Sequence, residues 1–443
     1  MKRKIIISSA FIVLSFLTTK AQNGLNINPV REYKAITLEE CIERAVEANY
    51  SVVISGNNLE ITRNNVTLAP FLPTVALSSR QSSSTSDQRN FSSEGVRENS
   101  VVKNASIINS ASLSWRLFDG FAMFATREKQ QELLSQGEHN FRSVIENLVM
   151  RISAQYYQII SMQNQVNLLT ELVAISQVRY TQALTRYNIG SDSGLEYKQA
   201  KIYLNSDSSR LMLQKENLRN AYIELYSMMN VSLESEYSIN DTIIPLPQLD
   251  IANLLESADN NNTTLNSLRA GEKIAALDTK LAKAARLPLV DFSAGYNYNF
   301  NRNQYFPSKF NESNGMNWGF SLSVPLFNGN EINRRVKNAR ISQENAKLTM
   351  EKEMQDVESE IRQLYNLYNN NIRLIAFEEE SRELAYLNLE AAMEKYRLGS
   401  LSGIEFRDYQ LSYLDASNRK MNTLYQAKVS EITLLLIAGN LFQ

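Results

Sequence analysis

The 443-residue sequence predicts a mainly α-helical chain with a few amphipathic β-strands, laid out as two tandem copies of one unit: helix, two strands, long coiled-coil helix, return helix. Three observations predict it: a self-match at one fixed offset, an apolar period of seven sustained through most of each copy, and short stretches where the period drops to two. The scarcity of turn formers agrees, since 15 Gly and 8 Pro in this length allow only few and long elements.

The self-match comes first. Ser112-Leu113-Ser114 recurs as Ser321-Leu322-Ser323, and Leu117-Phe118-Asp119-Gly120 as Leu326-Phe327-Asn328-Gly329, a shift of 209 positions. Arg186-Tyr187-Asn188-Ile189-Gly190-Ser191 matches Lys395-Tyr396-Arg397-Leu398-Gly399-Ser400, and Gly194-Leu195-Glu196-Tyr197 matches Gly403-Ile404-Glu405-Phe406, at the same 209. A match free of gaps from residue 112 to 197 marks one long structural unit written twice, because loops would have gathered insertions. The expected layout is residues 22–230, a connector at 231–250, and residues 251–443.

Within each copy the elements follow in order. Met1 to Lys4 carry three basic side chains ahead of an apolar stretch, Ile5 to Leu17, and a small-residue end at Ala21, which reads as a secretory signal peptide over 1–21. Residues 36–68 and 251–285 are amphipathic helices, halted by Pro73 and Pro288. Alternation then predicts strands at about 74–82, 105–117, 289–300 and 316–326; the clearest sets Phe292, Ala294, Tyr296, Tyr298 and Phe300 against Asp291, Ser293, Gly295, Asn297 and Asn299. The polar stretches Gln81 to Asn104 and Asn301 to Gly315 read as exposed loops.

The coiled coils are expected at about 121–230 and 330–438. Ile145, Ile152, Ile159, Val166, Val173, Tyr180 and Tyr187 recur every seventh residue, and Met354, Ile361, Tyr368, Ile375, Arg382, Leu389 and Tyr396 are their equivalents, with Arg382 the one departure. A strict seven-residue period selects a left-handed supercoil. Gly190 and Gly399 end the long helices by supplying a left-handed cap that turns the chain back.

Composition excludes several functions. A net charge of −1 offers no basic field for nucleic acid, and a single Cys41 and single His139 leave no disulfide, zinc cluster or Cys-His nucleophile. No phosphate loop, His-Glu-x-x-His or Gly-x-Ser-x-Gly is present, so neither an enzyme nor a cofactor is expected. Beyond the leader no run of about 18 apolar residues remains to form a transmembrane helix. Four strands with an aromatic face and a Ser/Asn/Gly face fit a wall between lipid and water, but membrane barrels begin at about eight strands, so copies must pool theirs. Two chains would give eight and three would give twelve; the pattern does not choose. A small soluble sandwich and a plain helical rod are the bland readings of the strands and heptads.

The Arg/Lys-Tyr-x-x-Gly-Ser tips, the Phe-Asp/Asn-Gly strand-to-helix junctions and the doubled layout, from Ile36 to Gly439, resemble the TolC-like outer membrane efflux protein family. The resemblance implies a homotrimer with a 12-stranded β-barrel in outer-membrane lipid and an α-helical periplasmic tunnel. It also implies a passive channel-tunnel for efflux or type I secretion, coupled through a periplasmic adaptor (membrane fusion) protein to an inner-membrane RND or ABC pump. Carried over residue by residue, Tyr187, Asn188, Ile189, Gly190, Ser191, Tyr396, Arg397, Leu398, Gly399 and Ser400 are the adaptor-facing tips. Glu196, Tyr396, Glu405 and Asp408 are the gate: Tyr396 and Glu196 link neighbouring coils, and Glu405 and Asp408 form a carboxylate ring. One departure is Leu401, where the family has an arginine, and glutamate replaces aspartate at Glu196 and Glu405. Alternatively Glu405 and Asp408 are solvated helix-start charges. The competing function is a periplasmic coiled-coil adaptor or scaffold without a pore, which needs no aromatic-faced strands.

Overall fold

The computed structural model describes residues 34–91, 95, 97–191, 194–303 and 309–441; the leader expected at 1–21 lies outside them. The first copy contains β1 (Lys34–Ala35), α1 (Leu38–Ala48), α2 (Tyr50–Asn64), a 3-10 turn at Ala69–Phe71, β2 (Thr74–Phe91), β3 (Arg97–Phe118), α3 (Ala122–Asn188) and α4 (Leu195–Met228). After β4 (Tyr237–Ser238) come α5 (Ile251–Asn261), α6 (Thr263–Ala284), β5 (Leu289–Asn303), β6 (Phe310–Ser323), α7 (Glu331–Arg397) and α8 (Gly403–Ile437). The helices α3 and α7 each hold 67 residues, and both their first and their last residues are 209 positions apart. Each is roughly 100 Å long at 1.5 Å per residue.

Each copy's leading helix is broken rather than continuous, a correction to the single helices read over 36–68 and 251–285. Asn49 and Asn262 sit in extended backbone and cap α2 and α6, Asn49 Oδ1 accepting from Ser51 N at 2.9 Å and Asn262 Oδ1 from Leu265 N at 2.9 Å. Their amides donate to the ends of the return helices, Asn49 to Met228 O and Asn262 to Ile437 O, both at 2.9 Å. A side chain that caps a helix and ties off a distant carbonyl fixes a bend that hydrophobic period alone does not record.

The four long strands form one antiparallel sheet in the order β2-β3-β5-β6. Its register stacks Val75, Leu113, Ala294 and Trp318 in one row, Leu77, Ala111, Tyr296 and Met316 in the next, and Trp115, Phe292 and Phe320 below. All these residues share one face by the period of two. The opposite face carries Ser110, Ser112, Ser114, Asn297, Ser293 and Ser321, crossed by an Arg116–Asp291 ion pair at 2.9 Å. The strands run further than the alternation suggested, and much of Gln81 to Asn104 and Asn301 to Gly315, expected as loops, is β-structure. Ladder hydrogen bonds persist beyond the apolar band, where neither face needs apolar side chains and the period-two signal vanishes. At the other end β6 stops at Ser323 rather than near 326, ahead of Pro325.

Beneath the sheet the chain builds a belt from two clusters. Cys41, Val52, Ile152, Tyr156, Ile159, Leu225 and Met229 form the first; Leu254, Leu265, Ile361, Tyr368 and Leu434 form the second. The 231–250 connector joins them: β4 pairs with β1, Ile239 and Ile243 enter the first cluster, and Tyr365 Oη donates to Leu249 O at 3.2 Å in the second. Burial lifts the Cys41 thiol to about 12, which leaves it an inert packing group. No described helix is long and apolar enough to cross a membrane.

The chain is lopsided in what it covers. Gly120 lies against the end of α6, where an added Cβ would stand 2.6 Å from Ala284 O, and the adjoining Leu117 is 39% exposed. The equivalent Gly329 meets nothing, and Leu326 and Phe327 are 94% and 86% exposed. At this junction the second copy covers the first, and among the described residues nothing covers the equivalent junction of the second.

Candidate functional site

The tips are built from the residues that the repeats share. At the end of α3, Gly190 takes φ +77°, its N–H donates to Tyr187 O at 3.0 Å, and Ser191 N–H donates to Arg186 O at 2.9 Å. At the end of α7, Gly399 takes the same φ, with Gly399 N to Tyr396 O and Ser400 N to Lys395 O, both at 3.0 Å. This is the Schellman closure. Both serine hydroxyls donate to the same carbonyls, Ser191 to Arg186 O and Ser400 to Lys395 O at 3.0 Å, which explains why serine follows each glycine. Ile189 and Leu398, the equivalent residues before the glycines, are left 74% and 81% exposed, and Asn188, Arg397 and Tyr187 also face outward.

Tyrosine at the two tips has two fates. Tyr187 is partly exposed and pairs with Tyr197, ring centroids 4.7 Å apart. Tyr396 is fully buried, stacked on Phe406 at 5.3 Å, and its hydroxyl donates to Glu196 Oε1 at 2.9 Å. Arg186 lies 5.2 Å over the Tyr396 ring and donates to Tyr396 O at 2.8 Å. Burial pushes the Tyr396 hydroxyl up to about 12, and the bond to Glu196 and its charge push the same way; Arg179 opposes them.

Glu405 and Asp408 are both exposed on α8, one turn apart. Ser402 Oγ accepts from Glu405 N at 3.3 Å while Glu405 Oε2 accepts from Ser402 N at 3.0 Å and from its hydroxyl at 2.8 Å, a reciprocal capping box. These bonds hold the Glu405 carboxyl below its usual range. The structure therefore bonds Tyr396 to Glu196 and Glu405 to Ser402, and both arrangements meet at the start of α8, where Tyr396 stacks on Phe406 and Glu196 lies against Gly403.

A polar seam above the tip escaped the sequence reading. Arg407 on α8 makes a two-pronged bond to Asp207 on α4, at 2.7 and 2.8 Å, and Ser176 on α3 donates to Asp207 Oδ2 at 2.6 Å. Arg407 and Arg179 each lie 5.1 Å from the Tyr203 ring. Arg179 is 2% exposed, and its Nε and Nη1 have no hydrogen-bond acceptor. The buried stripe of lower α3 is Leu172, Ser176, Arg179 and Ala183, whereas Val166, Val173 and Tyr180 of the seven-residue series are only half-buried. In the belt Ile152, Tyr156 and Ile159 pack with residues of α1 and α4, whereas further down Leu172 packs with Leu389 of α7 and Phe406 and Leu414 of α8, so the buried face of α3 rotates. The signal was present as charges interrupting apolar spacing at Arg179 and Asp207.

The sequence profile described as outer membrane efflux protein matches residues 60–231 and 254–440, one segment in each copy. The chain belongs to the outer membrane efflux protein family. Among its relatives, Outer membrane protein TolC of Vibrio cholerae is 22% identical over 318 residues, covering 69% of this chain and 70% of TolC. Protein CyaE of Bordetella pertussis is 24% identical over 315 residues, covering 69% of this chain and 62% of CyaE. The CmeC outer membrane channel of Campylobacter jejuni shares the fold, with TM-score 0.77 at 16% identity over 97% of this chain and 95% of CmeC. As a member of this efflux family the protein is an outer-membrane channel subunit with a periplasmic helical extension, and not an enzyme. The competing adaptor reading, which lacks a pore, falls with that assignment. Among the described residues no His/Cys/Asp/Glu group is arranged to hold a metal.

Proposed function

We propose that three copies of the chain close a twelve-stranded barrel and a continuous helical tunnel, forming a passive exit duct for efflux or type I secretion. The observation that carries this is the pair of unfilled edges. The order β2-β3-β5-β6 leaves one side of β2 and one side of β6 unpaired, and three antiparallel steps make these two strands antiparallel to each other. A neighbour's β2 therefore continues the alternation beside β6, and closure removes edges that would cost several kcal/mol per unpaired group in lipid. The exposed Leu326 and Phe327 support the same neighbour, since their equivalents Leu117 and Phe118 are far less exposed within the chain.

At the far end, the adaptor protein and through it the RND or ABC pump dock on the tips formed by Tyr187 to Ser191 and Tyr396 to Ser400. Ile189, Leu398, Leu195 and Ile404 give each chain four large exposed apolar side chains there. Tyr396 and Glu196 latch α7 to α4, and Glu405 and Asp408 from three chains surround the periplasmic mouth with six carboxylates. Such a ring attracts cations. In single-channel recordings, Glu405→Gln with Asp408→Asn lowers cation preference and weakens block by multivalent cations. Unchanged selectivity and block would return both acids to the solvated helix start.

A further inference from the structure

The lipid-facing wall carries a cavity of about 770 Å³ that the duct reading does not use. Ser83, Lys103, Phe300, Arg302, Lys309 and Phe310 line it. The ladder fixes which way all of them but Lys309 point, and Lys309 immediately precedes Phe310. Arg302 pairs with Ala105 and with Phe310, Ala105 with Ser83, and Arg302 follows Phe292, Ala294, Tyr296, Tyr298 and Phe300 at every second position. Lys103 and Ala105 likewise continue the series Trp115, Leu113, Ala111, Asn109 and Ile107. The cavity therefore lies on the apolar face, past its aromatic rows, at the end of the sheet away from the helices. With the helices in the periplasm, that is the external rim of the band.

We infer that Lys103, Arg302 and Lys309 form a binding site for the phosphate groups of an outer-leaflet lipid. Three cations line the cavity and no acid does; on the same face Glu312, paired with Phe300, and Asp87 offset two charges while Arg89 adds one, which leaves the rim positive. Arginine offers paired donors to a phosphate, and lysines at a membrane boundary reach their ammonium groups to headgroup level while their stems stay on apolar surface. Phe300 and Phe310 supply the apolar floor for the first carbons of the acyl chains. The whole cavity lies within one chain, so the site rests on the outer-membrane placement and not on the number of chains.

The test uses the full-length protein in detergent, with diphosphorylated lipid A, the same lipid stripped of phosphate, and inorganic phosphate as probes in native mass spectrometry. The wild type should retain the phosphorylated lipid roughly tenfold or more over the stripped one, and Lys103→Gln with Arg302→Gln and Lys309→Gln should bring the two to parity. Lys103→Arg with Lys309→Arg keeps the charges and should keep the preference. Displacement by inorganic phosphate alone at comparable concentration would assign the site to free phosphate and overturn the lipid. Equal retention of both lipids by the wild type, or an undiminished preference in the triple glutamine variant, would overturn the site. A chain missing from the outer-membrane fraction would instead sink the placement on which the site rests.

Discussion

Tyr396 concentrates the physics of the tip in one side chain: a fully buried ring, a hydroxyl bonded to Glu196 and a neighbouring Arg186 above the ring. Its folded pKa of about 12 lies above the free tyrosine value of about 10, so its contribution is complete below about pH 10 and is lost as pH rises through about 12. The latch is accordingly indifferent to pH across the physiological range. The difference in tyrosinate absorbance between wild type and Tyr396→Phe should titrate near 12; a midpoint near 10 would contradict a buried, carboxylate-bonded hydroxyl. The Arg407–Asp207 pair makes a stronger demand. Asp207→Ala leaves a buried guanidinium without its partner, a cost of about 3–5 kcal/mol, and should accelerate hydrogen exchange in α4 and α8 near the tip. Replacing both partners, Asp207→Leu with Arg407→Met, should recover most of that protection, and failure to recover would point to a role for the charges themselves. Tyr396 and Glu196 were singled out by the family resemblance, whose repeated motifs hold them both. Asp207 and Arg407 were not, because their equivalents at the 209 offset are Ala416 and Lys198, and a motif copied once leaves no echo.

The elements divide the same way. The long helices and their tip turns follow from period and glycine placement, and the turns make a sharp prediction. Proline cannot adopt φ +77° and has no N–H for the bond to Tyr187 or Tyr396, so Gly190→Pro or Gly399→Pro should abolish transport while leaving assembled protein in the membrane. Normal efflux at normal abundance would show that these turns do not serve docking. The strands were legible only where apolar and polar side chains alternate, from Val290 to Phe300 and their partners. Beyond that band the hairpins keep their ladder in a polar medium, so Ser82 to Asp87 look like a loop and fold as a strand. The breaks at Asn49 and Asn262 were invisible for a related reason. Each is decided by a carbonyl more than a hundred residues away, at Met228 and Ile437.

At the scale of the molecule, a repeated sequence has folded into an asymmetric chain. Copy one is covered by copy two at the base of the sheet, while Leu326, Phe327 and the free side of β6 face outward, as does the free side of β2 among the described residues. In the proposed trimer these surfaces are the halves of one contact. On that proposal, burying them between chains makes the duct, and leaving them open exposes sheet edges and large apolar side chains together. Native mass spectrometry of the membrane-extracted protein in mild detergent measures this directly. Three chains per particle, with no folded monomer in detergent-free buffer, is the predicted result; a monodisperse folded monomer, or any other closed stoichiometry, would contradict it.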